Sequence, residues 1–352
     1  MTRTEPTRSP RRARPVRAMA AALTLTALLG ACSEDPLPQP TAEEVASPAP
    51  PAIDTAAAGD VLTAVGEVVA EADAAKDPAL LAPRATDPAV LLRAGQYQSD
   101  GLTSGTVGIT PLSTTPQTVY LPTGDGFPRT LMAVTTVPEG RNLPQLLALQ
   151  QAGARDPYRL WGWVDLYPGV TVPSVSSPSI GAATLAPDAG GLVASPQDVV
   201  ARYVATLEDT GGADAAAFTP PEGDSFKQTH RRGEDQLGPQ IQAGGTVTTA
   251  ASVGSAPPVA IATADGGAIV MGEVRTVMQV RRTVPQSQLD ISGEFQSYLG
   301  GNGSVVGSVS FENVALLAFH VPAEGAEDGT IQVLGAATSL ISATRDDAAN
   351  PD

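Results

Sequence analysis

Apolar positions at helical and strand spacing divide the chain into two runs with the same order of elements. Over residues 53–75, Val61, Leu62, Val65, Val68, Val69 and Ala72 fall at i, i+1, i+4, i+7, i+8 and i+11, one stripe of a helix that Asp54 is placed to cap. A second helical stretch, interrupted by Pro83 and Pro88, covers 77–97. Extended segments follow at 105–110, 118–121 and 129–137, separated by turns that contain Pro and Gly. Residues 143–151 read as a short helix ending near Gly153. Residues 158–167 then alternate as a strand, with Leu160, Gly162, Val164 and Leu166 on one face and Trp161, Trp163 and Asp165 on the other.

Around 171–191 the composition shifts to Ser, Pro, Gly and Ala, and then the order begins again. Ser195-Pro196-Gln197-Asp198 opens a helix: Ser caps, Pro suits the first helical position, and Asp favours the positive end of the dipole. Val199, Val200, Tyr203, Val204 and Leu207 make its stripe, and a second helical piece covers 224–241. Strand patterns occupy 246–253, 268–283, 304–321 and 330–344. The expected fold is α+β in two tandem domains, 53–172 and 195–345, each with helices packed on a curved antiparallel sheet. A linker at 173–194 joins them, and residues 346–352 form a disordered tail.

Residues 1–52 are of another kind. Arg3, Arg8, Arg11, Arg12, Arg14 and Arg17 precede an apolar run from 18 to 29, the length of a signal-peptide core and too short to span a bilayer. It ends in Leu29-Gly30-Ala31-Cys32, which resembles the bacterial lipobox, and Cys32 is the one cysteine of the chain. That resemblance implies cleavage before Cys32, lipid on its sulfur, and attachment to the outer face of a membrane. Two acyl chains supply the double signal that stable anchoring needs. Arg11-Arg12 admits twin-arginine export as well as the general secretory route, although Ala13-Arg14-Pro15 continues that pattern poorly. Residues 32–52, rich in Pro, Ala, Ser and acids, read as an extended tether.

The duplicated order resembles the cystatin-like cone shared by nuclear-transport-factor-like domains, polyketide-cyclase-like enzymes and secretion-apparatus domains. The lipobox, the tether, and Arg155-Asp156-Pro157-Tyr158-Arg159-Leu160 ahead of a strand and Pro168-Gly169 also resemble uncharacterised lipoproteins of high-GC Gram-positive (actinobacterial) bacteria. Neither resemblance brings catalytic residues with it.

Charge narrows the partners. The chain carries −16, and residues 1–31 hold six arginines against one acid, so a chain starting at Cys32 stands at −21. Such a body repels nucleic acid, whose binding needs Lys and Arg to neutralise phosphate, and no nucleic-acid partner is expected. With one cysteine there is no internal disulfide, and the fold rests on packing.

Chemistry is sparse. His230 lies in the polar stretch Lys227-Gln228-Thr229-His230-Arg231-Arg232, which reads as a solvated helix face, and His320 lies in an apolar strand run. Neither has metal-ligand spacing to a second His or Cys, and no nucleophile elbow or phosphate loop occurs, so neither metal nor cofactor is expected. Gly300-Gly301-Asn302-Gly303 reads as a turn, and Arg281-Arg282 as an exposed strand end or a grip for an acidic partner. Asp224 and Glu273 are the carboxylates to watch if the second domain has a pocket. Trp161 and Trp163 share a strand face, as a candidate binding surface or as core beneath the helices. The expected function is a non-enzymatic binding or adaptor module of the cell envelope with a protein partner. Alternatives are a carrier of a lipid or small molecule in a hollow between sheet and helices, and a cyclase-like enzyme.

The lipobox makes a direct prediction. Cys32→Ser moves the protein from the membrane fraction to the medium or leaves it as unprocessed precursor; unchanged metabolic labelling with a fatty acid would refute the anchor.

Overall fold

The computed structural model describes residues 50–352, apart from 176, 210, 220–222, 233, 234 and 236. The signal segment, Leu29, Gly30, Ala31, Cys32 and the tether as far as residue 49 lie outside the described residues.

Helix α1, Thr55–Ala75, starts where Asp54 accepts the Ala57 amide at 2.7 Å, and it stops at Lys76, which turns into the left-handed region at φ 51°. It buries Leu62, Val65, Val69 and Ala72 of the expected stripe together with Ala58, and leaves out Val61 and Val68. After a short 3-10 turn at Pro78–Leu81, α2 runs Asp87–Leu102 with Pro88 in its first turn. Strands β1 (Pro116–Tyr120), β2 (Pro122–Thr123), β3 (Arg129–Thr135), β4 (Gln145–Gln151), β5 (Arg159–Leu166) and β6 (Ala182–Leu185) follow. Helix α3, Pro196–Glu208, opens at Ser195, whose hydroxyl accepts the Asp198 amide. Then come α4 (Ser225–Arg232), α5 (Gly238–Ile241), β7 (Gly245–Val253), β8 (Val259–Ala262), β9 (Ala268–Arg282), α6 (Glu294–Tyr298), β10 (Ser308–Val321) and β11 (Gln332–Asp346).

One sheet contains every strand of the described residues, in the order β1-β3-β4-β5-β11-β10-β9-β8-β6-β2, with β7 on the free half of β9. Its two ends, β1 and β2, are separated in the chain by Leu121 alone, so the sheet curls into a nearly closed surface. β5 lies three strands from β9, yet a Cβ at Gly162 would sit 3.4 Å from Met271 Sδ. That face is therefore the interior.

Strand alternation sorts the core into three. Ile269, Met271, Val314, Leu316, Ala318 and Leu334 point inward. The residues between them, Val270, Val274, Ala315, Leu317, Phe319 and Val333, form an outer core beneath α3 and α4. Gly272 makes that packing close, because a Cβ there would strike Val200 of α3. A third cluster at the far end of the long strands joins Val280, Val309, Phe311 and Leu340 to Phe295 of α6.

β5 and β11 pair only at Leu166↔Gly335 and Asp165↔Ala336, then part. Helix α2 fills the space between them: Gly95 lies against the Leu340 carbonyl and Arg93 lies over Trp163.

Four expectations need correction. The helix expected at 143–151 is the strand β4; Leu146, Leu147, Ala148 and Leu149 are all buried, because β4 is covered on both faces, and that overrides the helix preference of Leu and Ala. The strand expected at 105–110 is a turn leaving α2, with Ser104 and Gly105 at φ 52° and 82°. The expected linker at 173–194 carries β6, which pairs with β2 from the first run and β8 from the second. The halves therefore share one sheet. The expected disordered tail at 346–352 is docked: Asp352 pairs with Arg282 at 2.7 Å and accepts the Gln286 amide.

A pair of glycines tests the packing of α2. Helix propensity alone favours Ala over Gly by about 1 kcal/mol, and at Gly59 of α1, where nothing lies within 4 Å, Gly59→Ala should yield that gain. At Gly95 the new Cβ would sit 2.7 Å from the Leu340 carbonyl oxygen. Gly95→Ala should instead lose about 2 kcal/mol in urea denaturation, since backbone on both sides must shift.

Candidate functional site

The outer face of β9, β10 and β11 is not continuously covered. α3 and α4 cover one end, α5 and α6 the other, and between them opens a cleft of about 700 Å³. Register defines its floor. Thr276 pairs with Asn313, and Ala315 pairs with both Val274 and Thr338, so Thr276, Asn313 and Thr338 share the face of the outer core. Met278 and Ala336 lie two residues away on the same face. α4 contributes Ser225, Phe226, Thr229, His230 and Arg232 as one wall, and Phe295 of α6, Gln240 of α5, Leu237 just before it and Gln96 of α2 line the other side.

The wall made by α4 is held by a buried carboxylate. Asp224 is 1% exposed and accepts the Lys227 amide at 3.1 Å, capping the helix. The Tyr203 hydroxyl of α3 donates to it at 2.6 Å. Tyr167, just past β5, donates to its other oxygen at 3.3 Å, while the same hydroxyl accepts the Phe226 amide. Burial, with the Asp224 charge beside them, pushes both phenols well above their ordinary pKa, so they remain neutral donors. Asp224 is thus saturated by donors and does not line the cleft.

The carboxylate that does line the cleft is also engaged. Asp165 takes Arg141 Nη2 at 2.7 Å and Gln145 Nε2 at 2.8 Å. Gln96 is oriented from behind by Arg93, whose Nη1 reaches its Oε1 at 2.7 Å, and Arg93 is itself paired with Asp73.

The structure scatters the remaining candidates. Glu273 is buried away from the cleft, where it pairs with Arg275 at 2.6 Å and accepts the Ala256 amide. His230 lines the cleft and stacks on Phe226, so the face expected to be solvated is a wall. His320 Nε2 lies 3.2 Å from Asp265 Oδ2 at the other end of β10. Trp161 and Trp163 are 3% and 1% exposed; they are core, and the candidate binding surface they suggested is covered by α2. Arg282, expected as an exposed strand end, is buried among Val306 O, Ser287 O and the C-terminal residues. Gly300 and Gly301 form a turn with φ 70° and 82°. Among the described residues no three His, Cys, Asp or Glu side chains converge to hold a metal ion.

Sequence reasoning missed Tyr167, Tyr203 and the polar floor. Thr276, Asn313 and Thr338 each interrupt an apolar strand, but only the register between strands shows that they meet.

The model of a family described as a domain of unknown function, DUF8094, matches residues 49–345. The chain belongs to the DUF8094 family. No curated protein and no solved structure matches it. Those bounds take in both runs of helices and strands, and with them every element that lines the cleft of this DUF8094 chain.

Removing the central carboxylate tests how α4 is held. Asp224→Ala strips an acceptor from two phenols and one amide, and should cost about 3 kcal/mol of unfolding free energy. Tyr167→Phe, which removes one donor at the edge of the network, should cost about 1 kcal/mol. Equal losses for the two variants in urea denaturation would contradict a network centred on Asp224.

Proposed function

We propose that this chain is a lipid-anchored extracytoplasmic protein whose folded body is a non-enzymatic binding module, with the cleft over β9–β11 as its recognition site. The cleft itself carries the reading. Its volume of about 700 Å³ falls within the span of sites for small organic ligands. It combines a polar floor with aromatic and aliphatic walls, the usual composition of such sites. Both nearby carboxylates are committed, Asp224 to its tyrosines and Asp165 to Arg141 and Gln145, which supports holding a ligand over moving a proton. Of the two kinds of binding expected, carriage of a lipid or small molecule is favoured over a protein adaptor, although the site is a half-open polar-floored cleft and not a dry cavity.

The anchored location rests on the lipobox ending in Cys32 and on the Pro-rich tether. No helix among the described residues is long and apolar enough to cross a membrane. The tandem cystatin-like description is kept as a proposal in a changed form: two lobes, α1–α2 with β1 and β3–β5, and α3–α4 with β7 and β9–β11, fused edge to edge through β5 and β11.

Native mass spectrometry on the protein purified from its own membranes tests this reading. A small molecule should co-purify with the wild type, persist after the anchor is cut away, and be absent from Thr338→Trp, which fills the cleft from an exposed strand position. A stoichiometric protein partner with no small molecule in either form would replace carriage by the adaptor reading.

A further inference from the structure

We infer that the cleft takes an anionic amphiphile, a ligand with a carboxylate or phosphate head and a single apolar body, and this rests on the reading of the cleft as a ligand site. Charge is the first ground. In a chain whose net charge is −16, the densest basic element is α4, with Lys227, His230, Arg231 and Arg232 in eight residues. Two of these, His230 and Arg232, line the cleft. The acidic lining residue is Asp165, and its two oxygens are already occupied by Arg141 and Gln145. Asp235, exposed beyond the helix, does not line the cleft.

Arg232 is also uncommitted. Arg232, the arginine that lines the cleft, is exposed and has no ion pair among the described residues. A guanidinium with free donors at the lip of a cleft is suited to a planar or tetrahedral oxyanion. The Thr229 hydroxyl, one turn back on the same wall, adds a polar group for such a head.

The opposite wall is apolar. Phe295 of α6, Met278 of β9 and Leu237 just before α5 line the cleft, and each remains partly open to solvent. Phe295 and Met278 are backed by the third core, with the Phe295 ring 4.6 Å from that of Phe311. Half-exposed apolar side chains on a rigid backing are stabilised when a hydrocarbon chain or ring covers them. The polar floor of Thr276, Asn313 and Thr338 lies between the cationic and apolar walls, so a ligand lying across it meets both. One wall thus selects charge and the other selects apolar area.

Isothermal titration of the full-length Cys32→Ser chain against defined probes tests the assignment. Oleate and lysophosphatidylglycerol represent carboxylate and phosphate heads, oleyl alcohol the same tail without charge, and inorganic phosphate the head without a tail. Oleate or lysophosphatidylglycerol should bind at least about tenfold more tightly than oleyl alcohol, and inorganic phosphate should not register. Preference between the two anions identifies the head. Arg232→Gln, a surface change, should weaken the anion about fivefold to tenfold at low salt and leave the alcohol unchanged. Phe295→Ala should weaken both alike. Equal affinity for oleate and oleyl alcohol, or an Arg232→Gln variant that binds oleate as the wild type does, overturns the anionic class. Failure of every probe, while Thr338→Trp still loses a co-purifying molecule, also overturns the class but leaves the cleft as a site. If no molecule co-purifies and no probe responds to Thr338→Trp, the binding reading falls with it.

Discussion

The length of the three central strands governs the rest of the molecule. β9, β10 and β11 run for 15, 14 and 15 residues, or roughly 50 Å at the usual rise of a strand. Their inner face is closed by the curl of the sheet onto β3–β5. Their outer face needs a separate cover. The longest helix available there, α3, has 13 residues and reaches roughly 20 Å. Two covers therefore share the face, one built on α3 and α4 and one on α5 and α6, each over its own apolar cluster. Where they fail to meet, the strands switch from Val, Leu and Phe to Thr276, Asn313 and Thr338. The cleft follows from that mismatch of lengths, and the polar residues in its floor avoid leaving an apolar strip open to water.

A cleft between two covers keeps its shape only if both are fixed. α4 has eight residues and little apolar area of its own, so packing alone would hold it poorly. Asp224 compensates by tying the N-terminus of α4 to α3 through Tyr203 and to the end of β5 through Tyr167. The arrangement costs the desolvation of a carboxylate, offset by two phenol donors and a helix amide. On the opposite side, Arg93 does similar work from α2: buried against Trp163 and Asp73, it orients Gln96 at the cleft's edge. The two ionisable groups most deeply committed to the fold are thus spent on positioning the walls.

Much of this was legible in the sequence, and the failures have a common cause. Local signals held where they were self-contained: Asp54 and Ser195 cap helices as their spacing implies, and the four long C-terminal strands lie within a few residues of their expected bounds. β4 was misread because Leu146, Leu147, Ala148 and Leu149 carry no period when both faces are buried; a two-sided strand looks like a helix segment until its neighbours are known. Trp161 and Trp163 are both buried, and only the splay of β5 from β11 shows that α2 lies over Trp163. Asp224 drew attention for the right reason, a carboxylate near a pocket, yet its role turns on Tyr167 and Tyr203, which lie 57 and 21 residues away. The repeated order of helices and strands suggested two sheets; β6 inside the expected linker and the short β5–β11 seam make them one. Apart from the local turn at Ser104 and Gly105, these misses concern relations between distant segments.

The distribution of charge bears on how such a cleft would work at a membrane. On the proposed cleavage at Cys32 the body carries −21 and is repelled by anionic head groups. The same field repels a free anion approaching from solution, so α4 cannot act as a long-range lure. Its cations count only within a Debye length, roughly 8–10 Å at physiological salt. On the proposed reading the apolar wall makes the first capture, and Arg232 then discriminates among what has been captured by the sign of its head group. In that order of events the acidity of the rest of the surface serves selectivity, since it discourages anions that lack an apolar body to bring them in.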